Sequence, residues 1–432
     1  MTGMRSMYIN SVRTDHFHSN KYIVLFSIVD LLLLPPLPVV RLPLSLLLIT
    51  VWVIYNLPTL CKNPSFKWFI VFAIIAVLSI VSGFARLREN DILLLNGLYS
   101  VLILIFFMCQ IYFSQQFMRR NLSIKVILYC FLSVSVLLAI LYWLSPQAFF
   151  SLRALISIGE TEIIFQERVI NRFTLFFSDP NNAGAAFVIV MAFFILIEKI
   201  KGLPLFVTVI AVLFLVLSTM SVTALALYFM TLLFCVVINI DAISRKTVWC
   251  LIFCFLGSML IALVLFINQD IDPRLEEVQI FTEMITRIGF NVGSDVVFAG
   301  GRFDIWLSTI LSFNIVEFIF FGVGPMLASG GQALAPHNGH LYLLYGFGLI
   351  GYLIIIKHFF ILPKSASIDS YGVLLPIFMI FSMNTALQDF RFGVFMALVS
   401  GLLSAKEFQN NEERACRKQC NYRYHPSLLQ IN

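Results

Sequence analysis

The sequence predicts an all-α polytopic membrane bundle of about twelve transmembrane helices with two large outer loops. Three observations predict it. First, the 432 residues are 60% hydrophobic and only 12% charged, roughly half the charged fraction of a soluble globular chain. A water-soluble core has no room for 44 Phe and this much aliphatic surface. Second, the apolar residues come in continuous runs near the length of a spanning helix, without the alternation of a transmembrane barrel. Third, the cations segregate by loop. A soluble enzyme, a nucleic-acid-binding domain and a disordered chain are thereby excluded.

Taken in order, residues 1–21 are polar, with Arg5, Arg13, Asp15 and Lys21. They lack the apolar run of a signal peptide and form an inner N-terminal segment. Five spans follow within 22–144: 22–40, 42–60, 67–84, 92–113 and 122–144. The first contains Pro35-Pro36 and is broken or short. A loop at 145–182 leads to four spans within 183–267: 183–198, 203–218, 221–240 and 247–267. The second loop, 268–337, precedes three spans within 338–405: 338–358, 371–387 and 391–405. Residues 406–432 are expected to be a solvated basic tail.

Lys and Arg placement fixes the orientation. With the N-terminus inside, all eleven lysines fall in inner segments. The ten outer cations are all arginines: Arg41, Arg86, Arg88, Arg153, Arg168, Arg172, Arg274, Arg287, Arg302 and Arg391. The net charge of +6 thus divides into +12 inside, −5 outside and Asp30 within the first span. Counting 303–321 as a further span would move Lys357, Lys364 and the basic tail outside. Asp304, Asn314 and Glu317 interrupt that stretch, so it is expected to lie as a helix at the outer interface. No outer loop carries a Cys, so no disulfide framework is expected.

Both long loops lie outside, where long loops usually carry function. The second opens on an amphipathic helix: Asp272 caps it, Pro273 suits its first position, and Leu275, Val278, Phe281, Ile285 and Ile288 keep helical spacing. Asp30 is the only acid expected deep in a span, which argues against a charge-lined pump or channel.

Three outer segments carry candidate chemistry, and each also has an ordinary structural role. In the first, Asp179 and Pro180 start a helix whose N–H groups and positive dipole end suit an anion, beside Arg168, Arg172 and Asn181. Helix capping explains the same residues. In the second, Gly301-Arg302 opens the interfacial helix. Arg binds phosphate in bidentate fashion, although a snorkelling Arg looks identical in sequence. In the third, His337-Asn338 stands at the mouth of a span, where a neutral His suits a general base and also a simple cap. His340 could take either role. Gly348 and Gly351 follow at helical spacing from His337, which suits close approach of a neighbouring helix.

Together "RFTLFFSDPNNAG", "GGRFDIW", "GVGP" and "HNGHLYLLYGFGLIG" resemble the O-antigen ligase and O-antigen polymerase superfamily of bacterial membrane glycosyltransferases. The specific residues lie within 168–184 and 300–351; the topology from about 67 to 405 also resembles the family. Two features depart from it. Ser218–Thr223 lacks the Arg that many relatives carry, and neither loop has the Arg-x10-Gly pattern of some polymerases.

The resemblance implies inverting, metal-independent transfer of a glycan from an undecaprenyl-diphosphate carrier, at the outer face of the bacterial inner membrane. Both termini would be cytoplasmic. Polymerases elongate the next carrier-linked repeat unit; ligases pass the glycan to lipid A core. The Asp-Pro-Asn element looks more like the polymerases of O-antigen, capsule and exopolysaccharide. On this reading His337 and Arg302 are catalytic. Arg172, Arg168, Asn338, Asp179 and Asn181 bind substrate, and Arg86, Arg88 and Arg391 complete an outer ring. The expected partners are the lipid-linked donor and acceptor, the bilayer and a chain-length regulator protein, with no nucleic acid and no cofactor. Metal is not expected: a helix cap accounts for Asp272 of the Asp270/Asp272 pair, and Cys416, Cys420 and His425 fall short of four zinc ligands. A twelve-span transporter or flippase is the alternative of another class. It would need broken helices or charges within the membrane.

Overall fold

The computed structural model describes residues 21–33, 43–62, 64–87, 90–120, 124–156, 173–175, 177–238, 309–311, 314–325, 327–329, 332–334, 338–361, 366–384 and 386–423. The predicted span at 247–267 and the amphipathic helix opening the second loop lie outside these residues. In chain order the helices are α1 (Lys21–Leu33), α2 (Leu44–Tyr55), the single turn α3 (Leu57–Leu60), α4 (Pro64–Leu87) and α5 (Asn90–Arg120). There follow α6 (Lys125–Leu144), α7 (Pro146–Ile156), α8 (Pro180–Ala192, continued by a π-turn over Phe193–Ile197), α9 (Leu203–Ser218) and α10 (Val222–Ile238). The last are α11 (Ile315–Phe320), α12 (Gly339–Phe360), α13 (Ile368–Met383) and α14 (Phe390–Arg423). Two three-residue strands, β1 (Leu327–Ser329) and β2 (Gln332–Leu334), pair antiparallel between α11 and α12.

The described fold is that of a helical membrane protein. Among the described residues, five helices are long and apolar enough to cross a bilayer: Phe66–Ala85, Leu94–Met118, Lys125–Leu144, Pro180–Ile197 and Gly339–Phe360. Shorter apolar helices stand at 22–32, 44–55, 203–218, 223–238 and 368–383. α8 is the central one, with Ala183 to Leu196 buried on every side, as a helix apolar all round must be. A Cβ on Gly184 would overlap that of Ala224, so α8 and α10 meet with almost no side chain between them.

The bundle has two chemically different ends. One collects Lys125, Glu198, Lys199, Asp369, Lys406 and Glu407. Lys199 pairs with Asp369 at 2.7 Å, and Lys125 with Glu198 at 3.7 Å. The buried Glu407 accepts from the Ser367 N–H (3.1 Å), Ser367 Oγ (2.9 Å) and Ser370 Oγ (2.6 Å), closing the start of α13. Burial pulls the Lys406 ammonium below its ordinary value, while Glu198, Glu407 and Asp369 draw it back up. The first residues of the tail, 406–409, are therefore not simply solvated. α14 continues to Arg423 through a run of good helix formers, and Gln409 Nε2 donates to the Phe117 carbonyl at 3.2 Å.

The loop predicted at 145–182 begins with a helix. Pro146 takes the first position of α7, and Phe149 and Phe150 pack edge-on against Tyr142 at 5.5 and 6.2 Å. The larger correction concerns α12. Gly348 does not serve an unbroken helix; it interrupts one, with φ 68° and ψ 177°. Tyr352 OH lies 3.3 Å from His340 Nδ1, although twelve residues of straight helix span about 18 Å. Phe378 packs against His340 at 4.6 Å and against Phe360 at 5.8 Å, although twenty residues of straight helix span about 30 Å. α12 is thus bent sharply into two arms. At the bend, the Tyr345 carbonyl accepts from Val323 N–H (3.0 Å), and the Gly346 carbonyl from Gly324 N–H (3.1 Å) and Ser79 Oγ. The Gly322–Pro325 segment replaces the helical partners that the bend removes.

Candidate functional site

The helices α8, α10, α12 and α14 begin at the end opposite Glu407. Each start is a side-chain cap. Asp179 Oδ1 accepts from the Asn181 N–H at 2.6 Å, with Pro180 at the first position, as its sequence suggests. Ser221 Oγ accepts from the Ala224 N–H at 3.0 Å and donates to Asn181 Oδ1, joining α8 to α10. Asn338 Oδ1 accepts from the Leu341 N–H at 3.0 Å. Asp389 Oδ1 accepts from the N–H groups of Arg391 (3.0 Å) and Phe392 (3.2 Å).

Asp389 is the hub, and the sequence reading passed over it. It is buried, so Asp30 is not the only enclosed acid at this end. Its second oxygen, Oδ2, accepts from the Ser178 N–H (2.8 Å), Ser178 Oγ (2.9 Å) and Asn182 Nδ2 (3.4 Å). Asn384 Nδ2 donates to Asn182 Oδ1 at 3.1 Å, and Asn338 Nδ2 to the Ser382 carbonyl at 3.1 Å. The corner between α13 and α14 therefore ties the start of α8 to the start of α12. An Asp directly before the apolar run of residues 390–405 is a helix-start signal. It points to the cap and is silent about the partners on Oδ2.

The first helical pair also reaches this corner. Arg391 Nη1 donates to the Leu32 carbonyl at 3.1 Å, and its charge interacts with both Asp389 and Asp30. Asp30 Oδ2 accepts from the Ser45 N–H at 2.7 Å and from Ser45 Oγ. The half-buried guanidinium thus bonds a helix C-terminus and lies in the field of two carboxylates.

Of the candidate residues, Asp179, Asn181, Asn338 and Arg391 stand at this one end. Asp179 and Asn338 serve as caps, and Asn181 links two helices. His340 faces away, toward α13 and the second arm of α12. His337, Arg302, Arg168, Arg172 and Arg88 lie outside the described residues, as does the side chain of Arg86. Among the described residues, no three His, Cys, Asp or Glu side chains gather as a metal would require. What remains is four capped helix starts around a cluster of Asp389, Asp30 and Arg391, with the Asp179 and Asp389 carboxylates already offsetting the positive ends of α8 and α14.

The double role of Asn338 gives a measurable expectation. Asn338→Ala removes the α12 cap and the link to Ser382, and should cost about 1 kcal/mol, within the range for lost caps. Thermal unfolding in detergent measures it; an unchanged midpoint contradicts the role.

No family model, no curated protein and no solved structure matches this chain.

Proposed function

We propose that this protein polymerises undecaprenyl-diphosphate-linked oligosaccharide repeats into O-antigen, capsular or exopolysaccharide at the outer face of the bacterial inner membrane. One observation supports the reading most. The Ser178–Asn182 and Asn338 motif segments are far apart in sequence, yet both tie to the corner Ser382–Asp389. We assign the Asp389 end to the outside, because Lys125, Lys199 and Lys406 gather at the other end. The lipid diphosphate is already a good leaving group. The protein must hold its growing charge with fixed cations, a role this reading gives to Arg302 and Arg172, with the positive end of α8 as a further source of field. His337, next to the Asn338 cap, would take the proton of the acceptor hydroxyl.

The test is turnover of a purified, reconstituted protein on the lipid-linked repeat. His337→Ala and Arg302→Ala should each lower the rate by on the order of 100-fold or more, with EDTA leaving the wild type unaffected. Full activity in either variant removes that residue from the mechanism, and loss with EDTA restores a metal.

The H-N-x9-G-x-x-G match keeps the ligase alternative, which shares this chemistry and differs in acceptor. Deletion separates the two: loss of a polymerase leaves single repeats on the surface lipid, and loss of a ligase leaves none. Transport is favoured by two observations of its own, the bend at Gly348 and the enclosed Asp30, Arg391 and Asp389.

A further inference from the structure

We infer that α11 lies at membrane depth: it lays its outward face against lipid acyl chains, and the chain that leaves it climbs to the Asp389 end. The inference is independent of the catalytic reading, and it differs from the interfacial helix that the sequence suggests.

Depth is the first argument. The apolar span of α4 runs Phe66–Ala85, about 30 Å of helix, which is the thickness of the hydrocarbon core. Ser79 lies six residues inside its Ala85 end, about 9 Å, and Ile75 ten residues inside, about 15 Å. Ser79 Oγ donates to the Gly346 carbonyl, and Gly351 lies against Ile75. Gly348, between them, is bordered by the Phe321 nitrogen and the Glu317 carbonyl oxygen. The last turn of α11 therefore sits well within the hydrocarbon. The chain then climbs. The Val323 carbonyl meets Gly83, and Gly324 meets the Asn96 side chain near the start of α5.

Hydrogen bonding is the second argument. Irregular backbone at membrane depth is tolerated only where its polar groups are satisfied. Phe321 N–H and Gly322 N–H donate to the Glu317 carbonyl, and Val323 and Gly324 donate to the carbonyls opened by the α12 bend. The bend in α12 and the turn at Gly322–Gly324 complete each other. Surface is the third argument. Leu311, Ile315, Val316 and Phe320 are all at least half exposed, as are Val81 and Phe84 of neighbouring α4. An exposed apolar face of this kind is what a lipid-facing helix presents.

A nitroxide side chain tests it by collision with oxygen, which concentrates in lipid, and with nickel-EDDA, which stays in water. The label is placed in turn at cysteines replacing Ile315, Val316 and Phe320, in protein reconstituted into phosphatidylcholine–phosphatidylglycerol vesicles. Buried Cys109 and Cys235 are kept and the six other cysteines are replaced by Ala. A label at Val81 is the lipid reference. Oxygen contact matching Val81, with nickel contact several-fold lower, is the expected result at Ile315 and Phe320. Nickel contact exceeding oxygen contact would place α11 in water and overturn the inference. Protection from both reagents would also overturn it, since a second copy or another protein would then cover the face. Three label positions keep the test decisive if one substitution disturbs folding.

Discussion

Asp389→Ala should destabilise the protein by about 3–5 kcal/mol, the range for removing one member of a buried charged cluster. Five donor interactions lose their acceptor: two N–H groups of α14, the Ser178 N–H and Oγ, and Asn182 Nδ2. The donors on the buried Asn182 and Phe392 carry the desolvation cost of an unpaired group, and Arg391 loses one of the two carboxylates acting on its charge. Asp389→Asn should fall between wild type and Ala. Its amide oxygen can still cap α14, while its NH2 group faces donors at Ser178. Thermal unfolding of the three proteins in one detergent gives the order. A wild-type midpoint for Asp389→Ala would remove Asp389 from the centre of this end.

Gly348→Ala should cost about 3 kcal/mol or more. A φ of 68° with ψ of 177° is a region that essentially only glycine occupies, worth roughly 1–3 kcal/mol of strain for other residues. A Cβ there would also stand 2.7 Å from the Phe321 nitrogen, 2.9 Å from the Glu317 oxygen and 3.0 Å from the Gly322 nitrogen. These are backbone atoms that cannot rotate away. Gly97 is the internal control: a Cβ there meets nothing within 4 Å. Gly97→Ala, inside α5, should be neutral or stabilising by about 0.5–1 kcal/mol. Equal behaviour of the two variants in thermal unfolding would contradict the bend in α12.

These two residues also mark where the sequence could and could not be read. Local rules carried the helical runs and the start of α8, because a cap and an apolar run are written within a few neighbouring residues. Asp389 carries an equally local cap signal, but its partners Ser178 and Asn182 lie about two hundred residues away. Gly348 was placed by helical spacing from His337, which presumes an unbroken helix. The bend depends on the Gly322–Pro325 backbone, and no periodicity within α12 encodes it. The tail misled in another way: its charge reads as solvated, yet Glu407 and Gln409 bury their polar groups against α13 and α5. The Asn338 motif was visible as a pattern, and its tie to the Asn182 region through residues 382–384 exists only in three dimensions.

We propose that this bundle joins sugars at the Asp389 end and does not move them. The most direct measurement reconstitutes the purified protein in sealed vesicles with a radiolabelled lipid-linked repeat supplied at the face bearing Asp389. Glycosidic products and transbilayer movement are followed in the same sample. A polymerase gives a ladder of longer glycans on the carrier lipid, lost in His337→Ala, with the unextended repeat remaining on the side where it was added. Movement of the repeat across the bilayer without any new glycosidic bond would contradict it.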